Sequence, residues 1–333
     1  MPLIAECPQW NRTISEKMAN LAYFVLLTVC VMAQGSPKMP HSEDPVIVVG
    51  GGLAGLSSSI EALRNGGKVI LIEREKNVGG NSAKASSGIK GCGTEAQDRL
   101  GMKDSTDKLY SDSSFSCFFA FINCNFRSAG DRDNDGALVD VLVHESAKAV
   151  EFLIGLGVDL SDINICGGHL IPRIHLIPSP KEGRPSPVGI SIIRALKFST
   201  YILKEVEERS EFMKILVNTE VLGLVTWNEY ITGVRIKKED GSLDEIRGKS
   251  VILATGRFSS DRHNESSLLN EFASDKMGFL TTNGAFARGE GIKMARAMGA
   301  QIIGMEHVQI HLTAFIDPKD PTAGRLCAEK VLF

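Results

Sequence analysis

The chain has 333 residues, 43% hydrophobic and 23% charged, proportions of an ordinary globular protein long enough for about two domains. The formal net charge is −3 and Lys and Arg are scattered, which excludes a basic footprint and argues against nucleic acid as a partner. Small-molecule chemistry is the better fit, and the 33 glycines suit a backbone that repeatedly passes close to a ligand.

Residues 21–33 form an apolar run behind Arg12 and Lys17, ending in Val31-Met32-Ala33. This is the pattern of a secretory signal peptide over residues 1–33, cleaved after Ala33, with residues 34–44 as linker. The run is short for a bilayer span, so no stable membrane insertion is expected. The expected location is the secretory pathway or endoplasmic reticulum lumen. The mitochondrion is the alternative, disfavoured by Glu6, Glu16 and the scarcity of arginine. The seven cysteines show no Cys-x-x-Cys spacing, and five would remain after cleavage, so neither a disulfide framework nor a metal site is predicted.

The next element is a βαβ unit. Val46-Ile47-Val48-Val49 reads as a buried parallel strand, residues 56–64 as a helix, residues 68–72 as a second strand, and Glu73 closes it. Gly50, Gly52 and Gly55 hold the three positions of a dinucleotide-binding fingerprint, whose backbone approaches a pyrophosphate at a helix N-terminus. Glu73 stands where a carboxylate accepts hydrogen bonds from ribose hydroxyls.

Residues 79–88 are small apart from Lys84 and Asn81, as in a segment lying against something flat rather than a linker. A helix is predicted over 137–156 and another over 192–206. Strands are predicted over 215–225, 233–237 and 249–253, with a hairpin turn at 239–242 between the later two. Residues 251–256 then run as a strand into a small-residue turn. Two strand-to-glycine elements flanking a β-hairpin insertion is the layout of a flavin adenine dinucleotide (FAD) domain.

Several stretches together resemble the soluble, single-chain fumarate reductases, relatives of succinate dehydrogenase flavoprotein subunits and L-aspartate oxidase. They include Gly79-Gly80-Asn81-Ser82, Lys84-Ala85-Ser86-Ser87-Gly88-Ile89, Gly167-Gly168-His169, the Pro-rich 178–185, Ala254-Thr255-Gly256, Thr281-Thr282-Asn283-Gly284 and residues 291–295. The resemblance runs from about residue 45 to 329. It implies an α/β fold: a Rossmann-like FAD-binding domain with a β-hairpin insertion over 45–306, then the beginning of an α+β capping domain over 307–333. The activity implied is reduction of a small dicarboxylate, fumarate to succinate, by hydride from reduced FAD, with an unknown electron donor. Other oxidoreductases of the family, L-aspartate oxidase or a ketosteroid dehydrogenase, and a chemically silent FAD-binding module are the alternatives. The 178–185 stretch favours fumarate reductase over the other oxidoreductases.

The same resemblance assigns site residues. Gly50, Gly51, Gly52, Ala54 and Gly55 would take the pyrophosphate and Glu73 the adenosine ribose. Asn81, Ser82, Ala85, Ser86, Ser87 and Gly88 would lie on the flavin side of the ribityl chain, Val221 in the adenine pocket, and Ala254, Thr255 and Gly256 on the diphosphate side. Arg74, Gly80, Asp261, Thr282, Asn283 and Gly284 complete the cofactor set. His311 and Thr313 would bind a substrate carboxylate, and Glu329 matches a glutamate of the proton-delivery path. Alternation over 308–311 reads as a strand, which argues against a metal pair of His307 and His311.

Three departures from the family pattern stand out. Arg257 replaces a glycine and is expected to crowd the turn beside the cofactor. Residues 114–126, with five phenylalanines, read as an insertion, either an error of the gene model or a loop that contacts a partner or membrane. The relatives' proton-donating arginine lies beyond this chain's last residue, and Leu332 stands where they carry an arginine of the proton path. A C-terminally truncated, catalytically impaired chain is therefore expected.

Overall fold

The computed structural model describes residues 43–114, 135–165, 169–183, 185–205, 212–262, 265–279, 281–308 and 310. The leader, residues 115–126 of the insertion, His311, Thr313 and Glu329 lie outside the described residues.

Strand β1 (Val46–Val49) passes through Gly50–Gly52 into helix α1 (Leu53–Arg64), and β2 (Val69–Ile72) follows. A 3₁₀ turn (Gly80–Lys84) leads to the short strand β3 (Ile89–Lys90) and helices α2 (Glu95–Arg99), α3 (Thr106–Ser114) and α4 (Gly136–Gly155). Strands β4 (Asp162–Asn164) and β5 (Ile174–Leu176) precede α5 (Val188–Glu205). Then come β6 (Met213–Leu216), β7 (Glu220–Trp227), β8 (Tyr230–Lys237), β9 (Leu243–Arg247) and β10 (Ser250–Leu253), followed by α6 (Leu268–Phe272) and α7 (Glu290–Ala297).

A parallel sheet ordered β10-β1-β2-β6 forms the centre. Its strands are apolar on both faces because both are covered. Val48, Val69 and Leu71 pack with Leu56, Ile60 and Leu63 of α1 and Val188, Ile192 and Leu196 of α5. On the opposite face Ile47, Val49 and Ile72 meet Val234 and Ile236 of β8, in the antiparallel sheet β7-β8-β9. In α4 the buried Val143, Val150 and Leu153 recur at helical spacing, and Asp135 caps its start by accepting from the Ala137 and Leu138 amides.

The predicted strand over 215–225 is two strands. Asn218 turns the chain at φ 49°, sending β6 into the parallel sheet and β7 into the antiparallel one. Asparagine tolerates that conformation, and the polar Asn218-Thr219-Glu220 separates the two apolar stretches. The turn at 239–242 joins β8 to β9, and β9 was missed because Leu243–Arg247 is a largely exposed, charged edge strand. The predicted strand over 308–311 is not found where residues are described: 307, 308 and 310 belong to no strand, and alternation over so few residues does not hold one by itself.

A third sheet, β3-β5-β4, carries a buried polar cluster against α2. Arg173, 1% exposed, donates from Nε and Nη2 to the two oxygens of Asp104 at 2.5 and 2.7 Å. Burial alone would raise the Asp104 carboxyl, but Arg173 and the Ser105 amide outweigh it and hold it below its ordinary 3.8. Burial pulls the His175 imidazole below 6.5; its ring nitrogens lie 2.7 Å from Thr94 Oγ1 and 3.0 Å from the Arg173 carbonyl oxygen. Burial and then Asp104 push the Cys92 thiol from 9.0 to about 11, so it stays uncharged at neutral pH.

Urea unfolding across pH tests this cluster. Below 6.5 the unfolded chain protonates His175 more readily than the folded chain does, so stability is full above that pH and declines as pH falls through it. Asp104 adds a second decline only below 3.8, as pH falls toward its depressed folded value. His175→Gln should flatten the first decline. Asp104→Asn should cost about 3–5 kcal/mol at neutral pH by leaving Arg173 buried without its counter-charge.

Candidate cofactor site

Strands β1, β2 and β10 end together where α1 begins, and a cavity of about 380 Å³ opens there. That volume falls within the ~300–1,000 Å³ of small-molecule sites, at the strand ends where open α/β sheets bind ligands.

The cavity floor is the glycine loop. A Cβ on Gly50, which sits at φ +105°, would come 2.4 Å from the Ala254 carbonyl oxygen, so only glycine lets β1 and β10 close on each other here. Gly51, Gly52 and Ala54 line the same wall. Gly55 does not line it; its missing side chain lets α1 pack 1.8 Å, measured to a built Cβ, from the Gly50 carbonyl oxygen. Helix α1 has no side-chain N-cap, and its first intrahelical bond runs from Leu56 N–H to the Gly52 carbonyl oxygen. The amides of Leu53, Ala54 and Gly55 therefore have no intrahelical acceptor, and Ser82 Oγ meets only that of Leu53, at 3.3 Å.

Glu73, buried at the end of β2, lines the cavity and accepts from the Gly51 N–H at 2.7 Å and the Glu75 N–H at 2.9 Å. Gly80, Asn81 and Ser82 form the next stretch of wall, with Val221, Ala254, Thr255, Gly256 and the side of Arg74. The 3₁₀ turn is tied to the loop by the Gly79 N–H donating to the Gly51 carbonyl oxygen at 2.7 Å, so residues 79–84 are packed structure rather than linker.

Other predicted residues serve the site from outside the cavity. Asn81 Nδ2 donates to Asn283 Oδ1 at 2.8 Å, and Asn81 Oδ1 accepts from the Gly284 N–H at 2.8 Å, so Asn283 and Gly284 orient Asn81. Thr282, beside them, does not line the cavity. Asp261 is buried and does not line the cavity; its Oδ2 pairs with Lys293 Nζ at 2.8 Å and accepts from the Leu268 N–H of α6 at 2.7 Å. Ala85, Ser86 and Ser87 are exposed and Gly88 packs against β5; none of the four lines the cavity. Arg257 is exposed on the cavity wall, next to Gly256 at φ +80°.

Thr219, Glu220, Phe286, Glu290 and Met294 line the cavity without having been singled out in the sequence. A second close approach was also missed: a Cβ on Gly189 would lie 2.2 Å from the Ser82 carbonyl oxygen, so glycine there seats α5 on the 3₁₀ turn. Glycine in a Pro-rich approach to a helix reads locally as a turn residue, and only the fold shows what it meets.

These features fit FAD. Helix N-terminal amides without intrahelical acceptors, over a side-chain-free loop, suit a diphosphate, and the Glu73 carboxylate beside them suits a ribose. Fold and site together define a dinucleotide-binding flavoprotein domain. The family model described as FAD binding domain matches residues 45–332; the chain belongs to that family, and its cofactor is FAD. It is 32% identical over 83% of its length to a fumarate reductase of Schizosaccharomyces pombe, of which the match covers 50%. It is 31% identical over 84% of its length to an NADH:fumarate oxidoreductase of Klebsiella pneumoniae, covering 27% of that protein. Among solved structures, the open conformation of a flavocytochrome c3 fumarate reductase superposes with a TM-score of 0.66 at 27% identity, over 81% of this chain and 42% of that one. The chain thus spans about half or less of the length of these relatives.

Glu73→Ala removes charge-assisted hydrogen bonds of about 1.5–3 kcal/mol, so FAD affinity, read by flavin fluorescence titration, should fall roughly ten- to a hundredfold. Asp261→Asn should instead lower the melting temperature and leave FAD affinity within about threefold of the original, since Asp261 does not line the cavity.

Proposed function

We propose that the protein is a flavin-dependent reductase that converts fumarate to succinate, this chain supplying its FAD-binding part. The observation carrying the reading is that relatives named fumarate reductase, from Schizosaccharomyces pombe, Saccharomyces cerevisiae and Shewanella frigidimarina, align at 30–32% identity over 82–84% of the chain. The likeness to a 3-ketosteroid dehydrogenase of Rhodococcus jostii, at 23% identity, supports the shared fold alone.

Bound FAD supplies hydride chemistry. The amides of Leu53 and Ala54, which line the cavity, would hold the diphosphate, Glu73 would accept from the ribose, and the Asn81–Asn283 amide pair would keep the 3₁₀ turn in place beside the cofactor. On the substrate side, His311 and Thr313 would hold one carboxylate and Glu329 would relay a proton, roles carried over from the resemblance. The leader over residues 1–33 would deliver the protein to the secretory pathway. N-terminal sequencing of cell-derived protein should then begin at Gln34, and a chain retaining residues 21–33 would contradict that delivery.

The test is anaerobic re-oxidation of the chemically reduced protein, isolated from its source cells, with and without fumarate. Fumarate-dependent re-oxidation is expected, slowed about 10²-fold or more in His311→Ala through lost orientation of the carboxylate. Re-oxidation indifferent to fumarate would overturn the reading in favour of another electron acceptor.

A further inference from the structure

We propose that Arg74 is a positioning residue, an ionic latch that holds the far wall of the cavity, rather than a group whose charge contacts the cofactor. The inference rests on the FAD reading of the cavity. Arg74 follows Glu73 directly and lines the cavity, as a cofactor-contacting cation would. Its guanidinium is nevertheless engaged with protein. Nη1 bonds Glu290 Oε1, and Nη2 donates to the Phe286 carbonyl oxygen at 2.7 Å. Glu75 and Glu220 stand at 3.6 and 3.9 Å from the same group. Three carboxylates and a carbonyl surround one cation, leaving little attraction for an anionic ligand.

What the latch holds is specific. Glu290 is the first residue of α7, where a carboxylate also suits the helix N-terminus. One turn on, Met294 faces the cavity. Gly291 of the same helix abuts Thr255; a Cβ there would lie 2.1 Å from Thr255 Oγ1, and Thr255 lines the cavity after β10. The ring of Phe286 lies under Lys84, whose Nζ is 5.6 Å from its centroid, which joins this stretch to the 3₁₀ turn. One side chain at the end of β2 therefore fixes two stretches of wall, residues 286–294 and, through α7, the 254–256 turn.

The experiment titrates the full-length apoprotein with FAD, using Arg74→Ala, Glu290→Ala, the double variant and Arg74→Lys, and follows hydrogen exchange of residues 281–297 without flavin. Each alanine variant should weaken FAD roughly ten- to a hundredfold, the double no more than the weaker-binding single, because both remove one shared contact. Arg74→Lys should recover part of the loss, and α7 amides should exchange faster in all the alanine variants. Glu290→Ala binding FAD normally while Arg74→Ala does not, or fully additive losses, would overturn the latch and return Arg74 to direct cofactor contact. If the unmodified protein takes no FAD, the cofactor reading fails, and unchanged exchange in α7 would separately refute the latch.

Discussion

The carbonyl oxygen of Gly50 occupies the space that a side chain on Gly55 would need, and the carbonyl oxygen of Ala254 occupies the space that one on Gly50 would need. Two absent side chains thus let β1, α1 and β10 meet at van der Waals range. Without that approach the first turn of α1 would stand off from the strand ends, and its amides would not face the cavity. Any β-carbon at either position forces one of the three elements aside, and the cavity is built from all three.

The charge layout follows from the same packing. A helix N-terminus contributes about 0.3–1 kcal/mol toward an anion through its dipole, less than two or three direct amide hydrogen bonds to a charged oxygen at about 1.5–3 kcal/mol each. Hydrogen bonds, rather than the dipole, make the loop an anion cradle. The carboxylates sit at the other end of the problem. Glu73 spends its oxygens partly on the Gly51 and Glu75 amides, which fixes its position, and Glu220 and Glu290 are offset by Arg74. The cavity therefore presents neutral backbone N–H donors at the loop and the Glu73 carboxylate beside them, a pattern that suits a ligand with a diphosphate flanked by hydroxyl donors.

Local signals made the first βαβ unit legible. Its β-branched run, glycine spacing and terminal acid lie within about thirty residues, and the strand, helix and strand fall where those signals put them. Harder cases involve contacts between residues far apart. Arg74 and Glu290 are separated by 216 positions, and Gly189 is diagnostic only once the 3₁₀ turn is seen against α5. Asp261 matched a family position, yet its Oδ2 is engaged by both Lys293 and the first amide of α6. A motif match gives the position of a carboxylate but not what occupies its lone pairs. The break at Asn218 does carry a local signal, the polar Asn218-Thr219-Glu220 between two apolar stretches, but nothing local says that the strands on either side join different sheets.

The most direct measurement of the central claim is the flavin content of the purified full-length protein, released by denaturation, identified by chromatography and compared with protein concentration. The account predicts FAD approaching one equivalent per chain, restored on adding FAD to stripped protein and not replaced by nicotinamide dinucleotides. A protein that carries no flavin, takes none up, and binds a nicotinamide dinucleotide in the cavity instead would contradict it.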